Sequence, residues 1–268
     1  MSDELISHYR LFSRSAGLST VFPSPSIGDT GYQKAKAFAG RAAAGILLVI
    51  LSPLILFCGV LVRLTSTGPS FYTQVRLGHR GRPFRIYKVR TMRFRCEANT
   101  GAVWATAKDP RVTPVGRILR RLHLDELPQL WNIFLGDMCF IGPRPERPEI
   151  VEKLVLDLPN FNERLVTKPG LTGLSQVLQM ADTSLESART KLWNDLDYIR
   201  RESVWLDTRI LLGTAMIILG VKRPGVARIL ALNWKPGRPK SPSPATECIF
   251  EAPVDLPKLC DSGILGAL

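Results

Sequence analysis

Apolar positions are spread very unevenly along the chain. Residues 1–33 hold few of them and read as a disordered tail rich in Ser, Gly and Pro. The segment 38–62, FAGRAAAGILLVILSPLILFCGVLV, is almost continuously apolar, with Arg41 as its one charge. At ~1.5 Å per residue it is long enough for a bilayer core of ~30 Å. Two features set it apart from a plain span. Pro53 leaves the carbonyl of Val49 without its helical donor and predicts a kink, and the Ser52 hydroxyl stands where it can serve freed backbone groups. Both flanks are basic, with Lys34, Lys36 and Arg41 before and Arg63, Arg76, Arg80 and Arg82 after. The positive-inside rule therefore draws both ends to the cytoplasmic side. A re-entrant helix that bends at Ser52-Pro53 and returns satisfies both facts, and a kinked span is the alternative.

From about residue 70 to 233 the pattern is that of a globular domain. The runs 71–75 and 84–89 read as strands. Leu127, Leu130, Trp131 and Phe134 fall at i, i+3, i+4 and i+7, which predicts a helix with those four on its inner face and Gly136 at its end. Leu192, Leu196 and Ile199 mark another helix. The apolar run 210–221 is too short to span and suits a buried or interfacial helix. Trp193, Trp205 and Trp234, among Arg200, Arg201, Arg209, Lys222 and Arg223, suit a membrane-surface face as well as an ordinary core. The proline-rich stretch 235–268 reads as a second disordered tail. The expected division is tail 1–33, membrane helix 34–64, catalytic domain 65–234 and tail 235–268.

Charge narrows the partners. The 268 residues carry 36 Lys and Arg against 23 Asp and Glu, a formal net charge of +13. Such a balance suits nucleic acid, anionic head groups or phosphorylated substrates. The five cysteines form no CxxC pair and have no His at ligand spacing, so neither a zinc site nor a disulfide framework is expected, and a reducing compartment fits. The first thirty residues lack the apolar core of a signal peptide.

Candidate chemistry is densest over 116–149, GRILRRLHLDELPQLWNIFLGDMCFIGPRPERPE. Asp125 and Glu126 stand where the helix over 127–134 begins. The simplest reading is an N-cap followed by an acid that favours the helix dipole. Arg117, Arg120 and Arg121 just upstream change this, because arginines beside a helix N-terminus make an anion site. A carboxylate kept ionised there is a candidate nucleophile, and its neighbour a candidate ligand for Mg²⁺, which binds through one or two carboxylates plus phosphate oxygens. Pro143 and Pro145 fix the backbone around Arg144 and so aim it. Lys88 and Arg90 share a strand face, and Lys168 heads the turn KPGLTG. Each of these alone reads equally as solvated charge or turn chemistry.

Together, and in this order, the apolar helix with Ser52-Pro53, KVRTM, LRRLHLDELPQLWN, GDMCFIGPRP, KPGLTG and the segment around Asp197, Tyr198 and Asp207 resemble the bacterial sugar transferase family, the monotopic polyprenyl-phosphate phosphoglycosyltransferases, over roughly 34–225. The resemblance implies a compact α/β catalytic domain on the cytoplasmic leaflet of the bacterial inner membrane, with an N-terminal re-entrant helix broken at Ser52-Pro53 and interfacial amphipathic helices. It implies a UDP-sugar donor, a polyprenyl phosphate acceptor and a covalent aspartyl-phosphosugar, with UMP released and Mg²⁺ as cofactor. On this basis Asp125 is the nucleophile and Glu126 the metal ligand. Lys88, Arg90, Arg120, Pro143, Arg144, Pro145 and Lys168 lie toward the substrates. His123 stands where relatives carry a small hydroxyl residue and reads as a variation. Val89 and Thr91 replace the usual Phe and Ser of the basic strand.

The transfer would open exopolysaccharide, O-antigen or capsule assembly. Its chemistry needs positioning and charge stabilisation more than proton transfer, which fits a site rich in Arg and Lys. The alternatives are a catalytically inactive membrane-attached scaffold and a basic adaptor. Nucleic acid is not an expected partner, since acids inside the arginine cluster would weaken its binding. Assembly as a homo-oligomer stays open.

Overall fold

A computed structural model of the protein describes residues 31–96, 109–180 and 184–232. The expected tails lie outside these residues, apart from 31–33, which already belong to the first helix.

That helix, α1 (Gly31–Thr65), continues through Pro53. The Ser52 hydroxyl donates to the Val49 carbonyl at 2.9 Å, so the acceptor orphaned by the proline regains a partner from the preceding side chain. One stripe of α1 is buried against the rest of the chain. Ala44 packs among Phe84, Ile86, Leu130, Ile133 and Met138, and Cys58 and Val62 pack on Val89 and Leu119. The contact thus runs along about 27 Å of helix, taking ~1.5 Å per residue from 44 to 62. The other side of α1 leaves Ile46, Val49, Ile50, Leu56, Phe57 and Val60 exposed. A single apolar helix with this much uncovered hydrocarbon is consistent with a monotopic membrane anchor.

β1 (Phe71–Leu77) and β2 (Pro83–Val89) form an antiparallel hairpin with Tyr72 opposite Lys88. α2 (Pro114–Arg121) follows, capped by the Thr113 hydroxyl, which accepts from the Gly116 amide at 2.9 Å. A 3-10 turn, Leu124–Glu126, leads into α3 (Gln129–Leu135). After β3 (Cys139–Ile141) come α4 (Pro148–Asp157), a 3-10 stretch (Pro159–Val166) and β4 (Gly170–Thr172). The described chain closes with α5 (Leu174–Leu178), α6 (Leu185–Arg201), α7 (Val204–Ile218) and α8 (Arg223–Ile229).

The expected α/β class therefore needs correction: the described domain is mostly helical. Its strands form only two two-stranded pairs, β1 with β2 and a short parallel pairing of β3 with β4. The KPGLTG segment supplies β4 rather than a simple turn. The cores are helical, one built by Val151, Leu154, Phe161 and Leu192, another by Leu174, Val177, Tyr198, Ile210 and Val226.

α3 also departs from its predicted face. Leu130 and Ile133 are buried, but so are Gln129 and Asn132, while Trp131 and Phe134 are 46% and 45% exposed. The reason is a polar bridge. The Asn132 amide donates to the Arg85 carbonyl at 2.6 Å, and its oxygen accepts from the Tyr87 amide at 3.1 Å, closing backbone groups of β2. An apolar side chain at 132 would leave both unpaired in the interior. Gly136 ends the helix in the left-handed conformation, as its position predicts.

The start of α1 is tied down by the Tyr198 and Asp207 motif. Asp207 accepts from the Tyr198 hydroxyl at 2.7 Å and the Tyr32 hydroxyl at 2.6 Å, and pairs with Lys36 at 2.8 Å. Glu202 holds Lys36 as well, at 2.8 Å. These residues join the apolar helix to α6 and α7.

Candidate active site

His123 adopts a left-handed conformation (φ 55°) just beyond α2 and turns the chain into the 3-10 turn Leu124–Glu126. α3 starts only at Gln129, and Pro128 ahead of it has no amide hydrogen to be capped. The expected N-cap role of Asp125 is accordingly absent, and the turn has no side-chain cap bond. Asp125 is buried, yet among the described residues its carboxylate makes no hydrogen bond or ion pair.

Its neighbour is gripped. One oxygen of Glu126, Oε1, accepts from Lys88 Nζ at 2.7 Å and from an Arg144 terminal nitrogen at 2.6 Å. Lys88 comes from β2 and Arg144 from the loop after β3. Burial alone would raise the Glu126 carboxyl, but the Arg144 and Lys88 charges reverse this and hold it well below the usual carboxylate range. Asp125 moves the other way. Burial pushes its carboxyl up and the Glu126 charge adds to the shift, against opposition from Lys88, Arg120 and Arg144. Two adjacent carboxylates thus have separated acidities.

The loop carrying Arg144 is fixed on several sides. The Gly170 amide donates to the Pro143 carbonyl at 2.9 Å, Arg76 to the Pro145 carbonyl at 3.1 Å, and the Leu77 amide to the Glu146 carbonyl at 3.0 Å. Arg164 donates to the Arg144 carbonyl at 2.7 Å. Arg164 is itself paired with Asp195 at 2.6 Å, both side chains 1% exposed, and the Ser175 hydroxyl satisfies the other Asp195 oxygen at 2.7 Å. Glu146 pairs with Lys191. Gly142 and Gly170 permit the approach of the two backbones, since a Cβ on either would collide with main-chain atoms of the other segment. The main chain of Arg144 is held from behind while its guanidinium reaches forward to Glu126.

Glu126 and Arg144 border a cavity of about 510 Å³. Leu122, Leu127, Leu211 and Ile218 give it apolar walls, and Gln176, Thr214 and Arg223 add polar groups. The Thr172 and Thr214 hydroxyls are 2.6 Å apart on this wall. Arg223, reached by sequence only as part of a basic surface, and Gln176 and Thr214 were not legible as site residues. They come from helices whose local patterns carry no motif. Asp125, Lys88 and Arg120 are not walls of this cavity. Lys88 joins it through Glu126, and Arg120 donates to the Thr91 hydroxyl at 2.8 Å.

Two expected residues fall elsewhere. Arg90 donates to the carbonyls of Ser66, Thr67 and Gly68 and closes the segment that follows α1. Lys168 lines a second cavity, apart from Glu126.

Residues 31–221, more than two thirds of the sequence, match the bacterial sugar transferase family. The chain belongs to that family. It is 37% identical over 207 residues, 76% of this chain and 77% of the relative, to a UDP-glucose:undecaprenyl-phosphate glucose-1-phosphate transferase of Caulobacter vibrioides. It is 39% identical over 202 residues to a UDP-N-acetylgalactosamine-undecaprenyl-phosphate N-acetylgalactosaminephosphotransferase of Aeromonas hydrophila, covering 75% of this chain and 46% of the relative. A UDP-glucose:undecaprenyl-phosphate glucose-1-phosphate transferase of Xanthomonas campestris is 40% identical over 199 residues, 72% of this chain and 40% of the relative. The chain thus spans less than half the length of the last two.

Family membership implies a metal-dependent transfer. No group of three or more His, Cys, Asp or Glu residues that could cage an ion is found among the described residues. The donor set nonetheless fits Mg²⁺, which favours one or two carboxylates completed by phosphate oxygens and water. Glu126 Oε2 and the Asp125 carboxylate have no bonded partner among the described residues, while Glu126 Oε1 is taken by two cations.

Proposed function

We propose that this bacterial sugar transferase moves a phosphosugar from a UDP-sugar to polyprenyl phosphate, giving polyprenyl-diphosphate-sugar and UMP. The observation that carries the reading is the division of labour in one turn: Glu126 is clamped by Lys88 and Arg144, while Asp125, buried beside it, has no bonded partner. A carboxylate without a partner, in a field of fixed cations, is what an attack on phosphorus requires.

In the first step an Asp125 oxygen bonds to the β-phosphorus of the donor. The bond from that phosphorus to the bridging oxygen breaks, and UMP leaves with the electron pair. In the second, an oxygen of polyprenyl phosphate bonds to the same phosphorus and returns Asp125 as a free carboxylate. The sugar–oxygen bond is untouched throughout. Lys88, Arg120 and Arg144 stabilise charge on the phosphates, and Pro143 and Pro145 keep the Arg144 loop rigid. Glu126 would hold Mg²⁺ through the oxygen its two cations leave open, and the ion supplies neutralisation of phosphate charge.

The packing of α1 along one domain supports the re-entrant reading. Both basic flanks adjoin that domain, so a bend that returns the chain to the cytoplasmic face puts every charge in water. The test is UMP release by membrane-reconstituted protein with Mg²⁺, polyprenyl phosphate and a panel of UDP-sugars, beside Asp125→Asn. Release with one donor, lost in the variant, is expected. Release unchanged in Asp125→Asn would overturn the nucleophile, and no release from any donor would overturn the activity.

A further inference from the structure

The second cavity, of about 270 Å³, sits where α1 begins. Lys34, Lys36, Phe38 and Arg41 of α1 line it together with Lys168 and Glu202. Its charge is not balanced. Lys36 is neutralised by Glu202 and Asp207, both at 2.8 Å. Lys34, Arg41 and Lys168 have no hydrogen bond or ion pair from their side chains among the described residues. Three cations from segments more than a hundred residues apart therefore converge on one concavity, against the single negative charge that Lys36 leaves on its two carboxylates.

The cavity is also separate from the one beside Glu126. The two share no lining residue. Cys139 lines the second and Phe140 the first, and successive residues of a strand face opposite sides, so β3 stands between them. An anion bound at Lys34 and Lys168 is consequently not the phosphate that reacts at the dyad.

We propose that this cavity binds the phosphodiester head group of an anionic phospholipid. The source is read from what adjoins it. Lys34, Phe38 and Arg41 fall at i, i+4 and i+7, on one face of α1, with Phe38 77% exposed between the two cations. Residues 42–62 carry no charge, so acyl chains leaving the cavity past Phe38 meet the lipid-facing side of the helix at once. A soluble phosphate would gain nothing from that apolar continuation. The bound lipid would fix the depth and tilt of α1 through its own head group, as juxtamembrane cations do at anionic surfaces. The inference rests on α1 lying in a bilayer and not on the transfer reaction.

The test is native mass spectrometry of the detergent-solubilised full chain with equal amounts of dioleoyl phosphatidylglycerol and dioleoyl phosphatidylcholine, and no UDP-sugar. One phosphatidylglycerol should bind in preference. The double variant Lys34→Gln/Lys168→Gln should weaken it about 30-fold, at roughly the contribution of one cation per lysine. Lys34→Arg/Lys168→Arg should retain it, which separates charge from folding. Asp125→Asn should bind the lipid as the native chain does, so a failed transfer reaction and a failed lipid site are read apart. An unchanged preference in the Gln variant would overturn the site. Displacement of the lipid by millimolar glycerol phosphate would overturn the lipid as the source, and displacement by equimolar polyprenyl phosphate would overturn the separation of the two cavities.

Discussion

Two charged clusters hold Arg144, one behind it at the main-chain carbonyl and one in front at the guanidinium, and they are built on opposite principles. Behind it, Arg164, Asp195 and Ser175 form a closed network: both side chains of the ion pair are 1% exposed, and each Asp195 oxygen has a partner. In front, the Asp125-Glu126 turn is left open, with one carboxylate doubly clamped at a single oxygen and the other unpartnered among the described residues. A buried polar network stabilises a structure only when every member is satisfied, and an unsatisfied member retains its reactivity at a cost in stability. On the proposed function the rear cluster is scaffold and the front one the seat of chemistry, with Arg144 linking the two.

The sharpest way to break this comparison is Asp125→Asn. UMP release should fall by about 10³-fold or more, as for loss of a nucleophile. The same change should raise the unfolding temperature. Burial and the Glu126 charge raise the folded-state pKa of Asp125 above its unfolded value. The stability linked to its protonated form is therefore present below the unfolded pKa and lost as pH rises through the folded one, so at neutral pH the ionised group destabilises the fold. Removing it should relieve that cost, so the unfolding temperature should rise. A fall in unfolding temperature would mean that Asp125 has a structural partner.

The rear cluster should respond the other way. Asp195→Ala strands Arg164 in the interior and should cost about 3–5 kcal/mol, read as a drop in chemical denaturation midpoint. Arg164→Met/Asp195→Leu should recover much of it while activity stays low, because the Arg144 carbonyl has lost its donor. Recovery of full activity in the double variant would show that Arg144 needs no support from behind.

Arg144→Lys tests the link between the clusters. A lysine keeps the charge but not the guanidinium geometry, so turnover should drop roughly 10–100-fold with little change in unfolding temperature. Smaller again is the effect of acid. Burial tends to raise the Glu146 carboxyl, but Lys191, Arg164 and Arg76 together lower it from 4.5 to about 2. Its stabilisation is present above the unfolded value and lost as pH falls through the folded one. The unfolding temperature should decline between those two values, and Glu146→Gln should flatten that limb. The least effect is expected of Ser52→Ala. It removes one hydrogen bond to the Val49 carbonyl, about 1 kcal/mol, and should lower resistance to unfolding in lipid without altering UMP release under saturating donor.

Much of the site was legible along the chain, and the reason is locality. Asp125 and Glu126 are adjacent, and the upstream arginines lie within one turn of helix. The Pro143-Arg144-Pro145 loop declares its own rigidity. The Ser52 hydroxyl could be paired with the Val49 carbonyl on paper, because a proline in a helix orphans a known acceptor. What was misread depended on distant partners. Asn132 is buried for the sake of β2 carbonyl and amide groups more than forty residues away, and its burial turns Trp131 and Phe134 outward. Arg90 shares a strand motif with Lys88 but is spent on carbonyls at the end of α1.

The sequence by itself therefore determined the apolar helix, the serine that answers its proline, the acid pair and its cationic neighbourhood, and through them the family. These follow from composition, spacing and the covalent limits of proline, which act within a few residues. Only the tertiary structure decided which carboxylate is clamped and which is free, which cations reach the dyad, and that Lys168 faces another cavity. Hydrogen-bond satisfaction and burial are settled between segments far apart in the chain, and no local pattern records which partner arrives.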